Sequence, residues 1–397
     1  MFGFGHNDKD TTYGVLIDIA SGTVGVAVVA SETASTVPII LYAKRTSLRI
    51  TKNKATGVED LRRVREALLS ALLLLSQEGL QLLTEHNPRA KVTKLYVTCS
   101  SPWSFTIARD VHYESDEAFK VDSAIINDLV HSAEEEIASH LKTMPETEGE
   151  EFEIVERATV DMTVNDYPVK HPLNLKGSIL GLSHIAGLVP RDIMTSLHEV
   201  QDKLFPDTEL RVHTYMLIMY CVMRDLFPRV HSLCIINVTG EATEFGIIEN
   251  NLLIENTFIP YGSTTFVRDI MAQTGKPSSD ILSTLQAQGD DTELAEPDFT
   301  EQIASFKEKI SEAVKGILTR RIFPNDVIIT THRPYGPLFK KIIDEALESA
   351  LEKKVSVITV EPKVIEEISH GSGDDVYLAL AARFFHKLHG CGEVNEY

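Results

Sequence analysis

Two segments of the chain repeat one pattern: an apolar run, a short polar break holding a glycine, and a second apolar run. The first spans residues 13–29 and the second spans residues 233–248. Each predicts a tight β-hairpin, because glycine permits turn conformations that other residues rarely adopt and leaves N–H groups facing an anion. Asp18 and Asn237 end the first strands, where an oxygen could hold a metal ion bridging phosphates. One such hairpin is typical of any buried sheet, whereas two in this order predict paired phosphate-facing turns.

Length and charge limit the class of protein. The chain has 397 residues, which favours two domains or one subdivided domain. Its apolar fraction of 43% is typical of a soluble globular protein. The net charge of −20 argues against a nucleic-acid-binding protein and against broad docking on anionic lipid.

Cysteine and hydropathy patterns exclude further classes. The four cysteines lie far apart without a Cys-x-x-Cys pair, which makes a zinc site unexpected. Three of them lie in apolar strands or helices and are interpreted as small buried residues in a reducing compartment. We expect no stretch to reach the roughly 18–20 apolar residues that span a bilayer. The apolar stretches 67–75 and 215–223 are interpreted as core helices.

Hydrophobic periodicity predicts an α/β chain. Residues 13–48 are expected to form three strands, and an acidic loop is expected near residues 144–151. The final helix has an apolar stripe, and we interpret it as a core helix rather than a membrane anchor. The other principal expectations are helices at 58–85, 212–227 and 338–351 and strands at 91–99, 152–164, 178–188 and 327–330.

The paired hairpins resemble those of the actin-like ATPase superfamily, which carry Asp-x-Gly-Ser/Thr in the first hairpin and Asp-x-Gly-Gly-Gly-Thr in the second. Asp18 matches the first Asp, and Ala20 stands where the family has Gly. In the second hairpin Asn237 replaces the Asp, and Gly240 is the glycine that remains.

Residues 109–205 are similar to the insert of the FtsA/PilM branch of this superfamily, with helix, strand, turn, strand and helix in the same order. The segment after the second hairpin also matches that branch through Pro260, Gly262, Asp269 and Ile270. The resemblance implies a two-lobed actin-like, ribonuclease H-like α/β fold with an inserted subdomain of the SHS2 type. It implies a first lobe of residues 12–108 and 206–232, an insert of residues 109–205, and a second lobe of residues 233–270, 271–324 and 325–390.

The resemblance also implies a nucleotide site between the lobes. Asp18 would hold Mg²⁺. The residues that would face the ATP phosphates are Asp18, Ser21, Gly22, Thr23, Asn237, Gly240, Thr243 and Gly262. Those that would lie on the adenosine side are Lys309, Glu312, Thr331, His332 and Arg333.

Several positions depart from the family chemistry. Asn237 carries no charge for a metal, and Glu241 would place a negative charge in the phosphate cradle without a cation beside it. The adenosine turn, which is glycine-rich in active members, reads Thr331-His332-Arg333-Pro334. We therefore expect ATP and Mg²⁺ binding to be weak or lost and the chain to be a degenerate ATPase.

With these departures, the resemblance to the FtsA/PilM branch implies a cytoplasmic scaffold that recruits protein partners at the inner membrane, for cell division or type IV pilus assembly. The chain would reach the membrane only indirectly, through a partner, and self-assembly stays open. One alternative is an active, filament-forming ATPase in which Glu244 compensates for Asn237. A second alternative is a small-molecule kinase of the same superfamily.

Overall fold

The computed structural model describes residues 11–51, 58–143, 150–288, 299–332, 336–360 and 362–390. Arg333 of the predicted adenosine turn and residues 144–149 of the predicted acidic loop lie outside these ranges.

The described strands and helices alternate along much of the chain. The strands are β1 (Thr11–Ile19), β2 (Thr23–Glu32), β3 (Ile39–Ser47), β4 (Val92–Cys99), β5 (Phe105–Lys120), β6 (Phe152–Val164), β7 (Tyr167–Pro168), β8 (Lys176–Pro190), β9 (Glu209–Thr214), β10 (Leu233–Val238), β11 (Thr243–Glu249), β12 (Leu252–Ile259), β13 (Asp326–Thr331) and β14 (Ser356–Thr359). The helices are α1 (Val58–Leu74), α2 (Leu80–His86), α3 (Ser123–Leu141), α4 (Arg191–Leu204), α5 (Tyr215–Leu226), α6 (Ser263–Thr274), α7 (Ser278–Gln288), α8 (Thr300–Leu318), α9 (Gly336–Leu351), α10 (Pro362–Ile368) and α11 (Val376–His389).

Two five-stranded sheets share one topology. The first has the order β3-β2-β1-β4-β9, and the second has the order β12-β11-β10-β13-β14. In each sheet the first three strands are antiparallel and the last two are parallel to the central strand. Parallel neighbours need a long crossover, usually helical, and α1–α2, α4, α8 and α9 lie in those crossovers. The matching topology confirms the predicted two-lobed α/β fold.

Both faces of the first sheet are covered, which explains its continuous apolar strands. Ile17 on one face packs in a core with α1 and α4. Leu16 on the other face packs against α11. The central strand of the second sheet is buried along its whole length in the same way.

A third sheet forms the insert. Its order is β5-β8-β6-β7, and α3 packs on one face. Asn165 and Asp166 join β6 to β7 with φ values of 51° and 66°, which is the left-handed backbone that a two-residue hairpin turn requires. Helix α4 lies within the predicted 109–205 insert, but its buried residues Ile193, Leu197 and Val200 belong to the first-lobe core.

One helical stretch contradicts the expectation about membrane-spanning length. The helical stretch Leu61–His86 has 26 residues and is, by length and composition, long and apolar enough to cross a bilayer. The core helix of a soluble protein passes the same test. Leu68 and Leu72 of this stretch are buried in the first-lobe core, whereas Leu69 and Leu73 are each 57% exposed.

The final helix returns to the first sheet. The resemblance assigns α11 to the second lobe, and Tyr377 and Leu380 pack in one core with Ile235 and Ile328 of the second sheet. Its residues Leu378, Ala382 and Phe385 also pack on the face of the first sheet that carries Leu16. Its apolar stripe is thus buried inside the protein.

The predicted helix at 212–227 begins too early. Residues Glu209–Thr214 form strand β9, which pairs in parallel with β4, and the helix starts at Tyr215. The strand was missed because it is short and merges with the strongly apolar helix that follows it directly.

The packing of α11 on the first sheet gives a stability prediction. A methyl group at Gly14 would lie 2.7 Å from two ring carbons of Phe385, whose side chain is buried. We expect Gly14→Ala to lower the free energy of unfolding by about 1–3 kcal/mol through overpacking, measured by urea denaturation. Gly316→Ala in α8 is the control, because a methyl group there meets nothing within 4 Å and should stabilise the helix by up to about 1 kcal/mol. Equal effects of the two changes would contradict this docking of α11.

Candidate functional site: the interlobe cleft and a second groove

The two hairpin turns touch each other. A Cβ on Gly240 would lie 2.7 Å from Cα of Gly22, so any side chain at Gly240 would force the turns apart. The hydroxyls of Ser21 and Thr239 are hydrogen bonded at 2.9 Å. The turns that would clamp phosphates from opposite sides are therefore in direct contact.

Backbone donors around the turns are engaged within the chain. The amide of Glu241 donates to Oγ of Ser21 at 2.8 Å, so it crosses between the lobes. At the start of α6, the amides of Ser263 and Thr264 donate to the carbonyls of Thr239 and Gly240 at 2.8 and 2.7 Å. A helix N-terminus attracts anions through such donors, and here protein carbonyls accept them.

Asp18, the predicted magnesium ligand, is fully buried and paired. Its Oδ1 accepts a hydrogen bond of 2.7 Å from Thr98, and its Oδ2 lies 2.8 Å from Nη1 of Arg45. Burial raises the pKa of this carboxyl, while Arg45 and Thr98 act in the opposite direction. A guanidinium therefore stands where a metal ion would contact the carboxylate.

The same guanidinium binds a second carboxylate. Nε and Nη2 of Arg45 donate to the two oxygens of Asp375 at 2.7 and 2.9 Å, which is bidentate geometry. Burial alone would raise the pKa of Asp375, but Arg45, together with His332 and the amide of Leu378, outweighs burial and holds that pKa below its ordinary value. Asp375 also caps α11 by accepting from the amide of Leu378.

Asn237 is engaged on its oxygen. Its Oδ1 accepts hydrogen bonds from Thr330 at 3.1 Å and from Tyr377 at 2.9 Å. Thr243, a second predicted phosphate contact, donates instead to the carbonyl of Tyr261 at 2.8 Å. The neutral oxygen that could have assisted a metal is thus committed to protein hydroxyls.

The predicted adenosine-side residues separate into two places. Thr331 and His332 line the cleft together with Gly22, Thr23 and Gly240. Lys309 instead lies over the ring of Tyr261, 5.4 Å from its centroid, and Glu312 is exposed on α8. The lining of the cleft includes neither of these two residues.

His332 is held in the cleft by contacts with other side chains of the protein. Its ring stacks on Tyr377 with centroids 4.0 Å apart, and its Nε2 lies 3.1 Å from the hydroxyl of Thr23. Arg45 donates to the same hydroxyl, so the hydroxyl proton is available to a neutral Nε2. Burial lowers the pKa of His332 to about 3, with Arg45 adding to the effect.

Two glutamates near the second hairpin behave differently from expectation. Glu241 has a cation beside it, because Arg268 pairs with both of its oxygens. Glu244 is buried, accepts from Asn256 at 2.9 Å, and has its pKa raised by burial. Glu244 is not among the residues that line the cleft.

The cleft itself encloses about 580 Å³. Asp375 in its lining, and Asp18, the oxygen of Asn237 and several turn amides beside it, already have protein partners. The described residues therefore do not fit a Mg²⁺–ATP complex in this conformation, because binding would require the chain to break these contacts.

A larger cavity of about 1000 Å³ lies between the insert and the first lobe. We call it the insert groove. Strands β6 and β9 line it with α4, α5 and α11. Strand β9 ends the first sheet, and β7 covers only Thr163 and Val164 of β6. Within the described part of the chain, no strand pairs with the outer edge of β9 or with the rest of that edge of β6.

The insert groove combines an apolar floor with charged walls. Met194, Leu217 and Phe384 supply buried apolar surface. Its charged wall residues are Glu153, Glu156, Arg157, Arg211, Arg224, Asp225 and Lys387. Sequence reasoning missed this site, because its residues come from five separate stretches of the chain; the alternation of Glu209–Thr214 was the one local signal.

The buried neutral His332 predicts a pH dependence. Its pKa is about 3 in the folded protein and about 6.5 in an unfolded chain, so only the unfolded state binds the proton in between. The stabilisation is therefore complete above pH of about 6.5 and is lost as pH falls toward 3. Between pH 7 and 5 we expect the wild type to lose about 2 kcal/mol more unfolding free energy than His332→Gln, measured by urea denaturation. Parallel pH curves would show that folding does not lower the pKa of His332.

Comparison with known proteins gives similarity at the level of fold. No family model matches the chain, and no curated protein matches it significantly. Among solved structures, a chain of the PilM–PilN type IV pilus biogenesis complex matches with a TM-score of 0.57 at 10% identity, covering 96% of this chain and 99% of that one.

Two further structures match with lower scores. One is the ethanolamine utilization protein EutJ from Carboxydothermus hydrogenoformans, at 12% identity, with coverage of 94% and 89% and a TM-score of 0.44. The other is a Bacteroides thetaiotaomicron protein with actin-like ATPase fold and unknown function, at 10% identity, with coverage of 96% and 99% and a TM-score of 0.43. The chain thus has the two-lobed actin-like ATPase fold that its hairpins predicted, and it shares that fold along nearly its whole length with a chain of the PilM–PilN complex.

Proposed function

We propose that the chain is an actin-like scaffold that docks a protein partner in the insert groove and does not depend on a nucleotide cycle. One observation carries the proposal: the hairpin groups that would bind Mg²⁺ and phosphate are paired within the chain, whereas the insert groove is a larger cavity with an apolar floor. Weak or absent ATP and Mg²⁺ binding accompanies this role.

The chemistry of the insert groove suits an extended segment. A strand edge without a neighbouring strand offers backbone donors and acceptors, and a peptide that adds as a strand gains main-chain hydrogen bonds there. At the end of β9 the amide of Thr214 already donates to Glu156. Met194, Leu217 and Phe384 would accept apolar side chains. Charges of both signs on the walls would fix the orientation and select the partner.

The partner we propose is a PilN-type protein, because the matched structure is a complex of PilM with PilN. With such a partner, the chain would act in type IV pilus assembly, on the cytoplasmic side of the inner membrane and held there through that partner. Cell division remains the competing setting from the sequence.

Partner binding can be tested with variants in the insert groove and in the cleft. Val160, half-buried in the groove wall, is changed to Arg, and Asp18 in the cleft is changed to Asn. We expect Val160→Arg to weaken binding of the PilN-type protein from the same genome at least tenfold, because a long charged side chain enters the apolar floor. Asp18→Asn should change affinity less than twofold, since it keeps the size and much of the hydrogen bonding. Calorimetry on proteins checked for folding by circular dichroism makes the comparison.

A matched control is His112→Arg, which adds the same side chain at an exposed position of β5 outside the groove. It should bind like the wild type. Loss of binding in folded Asp18→Asn with binding intact in Val160→Arg would reject the scaffold proposal in favour of a nucleotide-dependent protein.

A further inference from the structure

A single row of residues crosses the first sheet beneath the cleft. Arg45 of β3 is paired in register with Gly25 of β2, Gly25 with Asp18 of β1, and Asp18 with Thr98 of β4. Residues in one row project to the same face of a sheet. The row therefore brings the Arg45 side chain toward Asp18, with only a glycine between them.

Gly25 makes this reach possible. A Cβ at Gly25 would lie 2.6 Å from Nη2 and 2.8 Å from Cζ of Arg45, so the guanidinium occupies the space that a side chain would fill. With that space open, the guanidinium lies over the strand and meets both Asp18 and Asp375. Its Cζ also lies 5.3 Å from the ring centroid of Tyr377, which adds a cation–π contact.

The resulting cluster has two carboxylates around one cation. The Asp18 side chain is 0% exposed, and those of Arg45 and Asp375 are each 15% exposed. Arginine stays charged under all ordinary conditions, and its planar fork bonds two carboxylates at once. Two carboxylates of this kind around a shared cation resemble the donor set that binds a divalent metal ion.

We propose that Arg45 is a built-in cation of the cleft, which takes the position of a divalent metal and makes the closed fold independent of metal. This assignment goes beyond the scaffold proposal and does not rest on it. Without the Arg45 side chain, Asp18 and Asp375 face each other unpaired and form a site for Mg²⁺ or Mn²⁺. The stability of the native chain therefore does not depend on either ion, whereas a chain that lacks the guanidinium is stabilised by either.

Thermal unfolding with EDTA, MgCl₂ or MnCl₂ tests the proposal. The wild-type Tm should be the same in all three. Arg45→Ala should unfold roughly 5–10 °C lower in EDTA, because two buried carboxylates lose their partner. Millimolar Mn²⁺ should restore at least half of that loss. Arg45→Ala with Asp375→Asn should not respond to Mn²⁺, because one ligand is gone.

Two controls separate this effect from a general one. Arg62→Ala removes an arginine from an ion pair with Glu66 in which both side chains are more than half exposed, and its Tm should not change. Gly25→Ala keeps Arg45 but fills its space, so it should also lower Tm.

Mn²⁺ binding to the wild type, followed by electron paramagnetic resonance, gives a decision even if Arg45→Ala does not fold. We expect the wild type to have no specific Mn²⁺ site. A specific site would bind one Mn²⁺ per chain, and Asp18→Asn would abolish that binding. Such binding would overturn the proposal, as would an Arg45→Ala protein with wild-type Tm or one that Mn²⁺ leaves unchanged.

Discussion

The contact between Gly22 and Gly240 sets how closely the two sheets approach. Only glycine at these turns lets the backbones come near enough for Ser21 and Thr239 to bond hydroxyl to hydroxyl. Beside the turns, the carboxylate of Asp18 and the amide of Asn237 are fully buried, so their polar atoms need partners in the chain. Arg45 and Thr98 supply them for Asp18, and Thr330 and Tyr377 supply them for the oxygen of Asn237.

Burying two carboxylates is costly unless each is paired and hydrogen bonded, because the desolvation penalty is several kcal/mol per ion. Asp18 meets this condition through Arg45 and Thr98. Asp375 has the same guanidinium and the N-terminus of α11, whose dipole favours a negative charge there. The Arg45 guanidinium, the Thr98 hydroxyl and the N-terminus of α11 thus stabilise the two carboxylates, without an ion from solution.

Sequence patterns predicted the parts of this structure that are local. The hairpins, the strand Phe152–Val164 and the Asn165-Asp166 turn each carry their own signal in alternation or turn chemistry. The site contacts were less accessible, since Asp375 reaches Arg45, 330 positions earlier in the chain, only because α11 returns to the first sheet. The edge strand β5 was also missed, because its charged residues resemble a loop. A glycine at position 25, inside an otherwise β-branched strand, was the one local sign that a neighbouring side chain needs its space.

Helix α11 joins the two sites physically. Asp375 and Tyr377, at its start, are bound in the cleft, while Phe384, Lys387 and Leu388 in its last turns line the insert groove. A helix is stiff along its axis, so anchoring its first turn on Arg45 also fixes the groove wall at its other end. A wall held in place before binding leaves less conformational freedom to lose when a partner docks. The contacts of Asp375 and Tyr377 in the cleft therefore also help to set the shape of the insert groove.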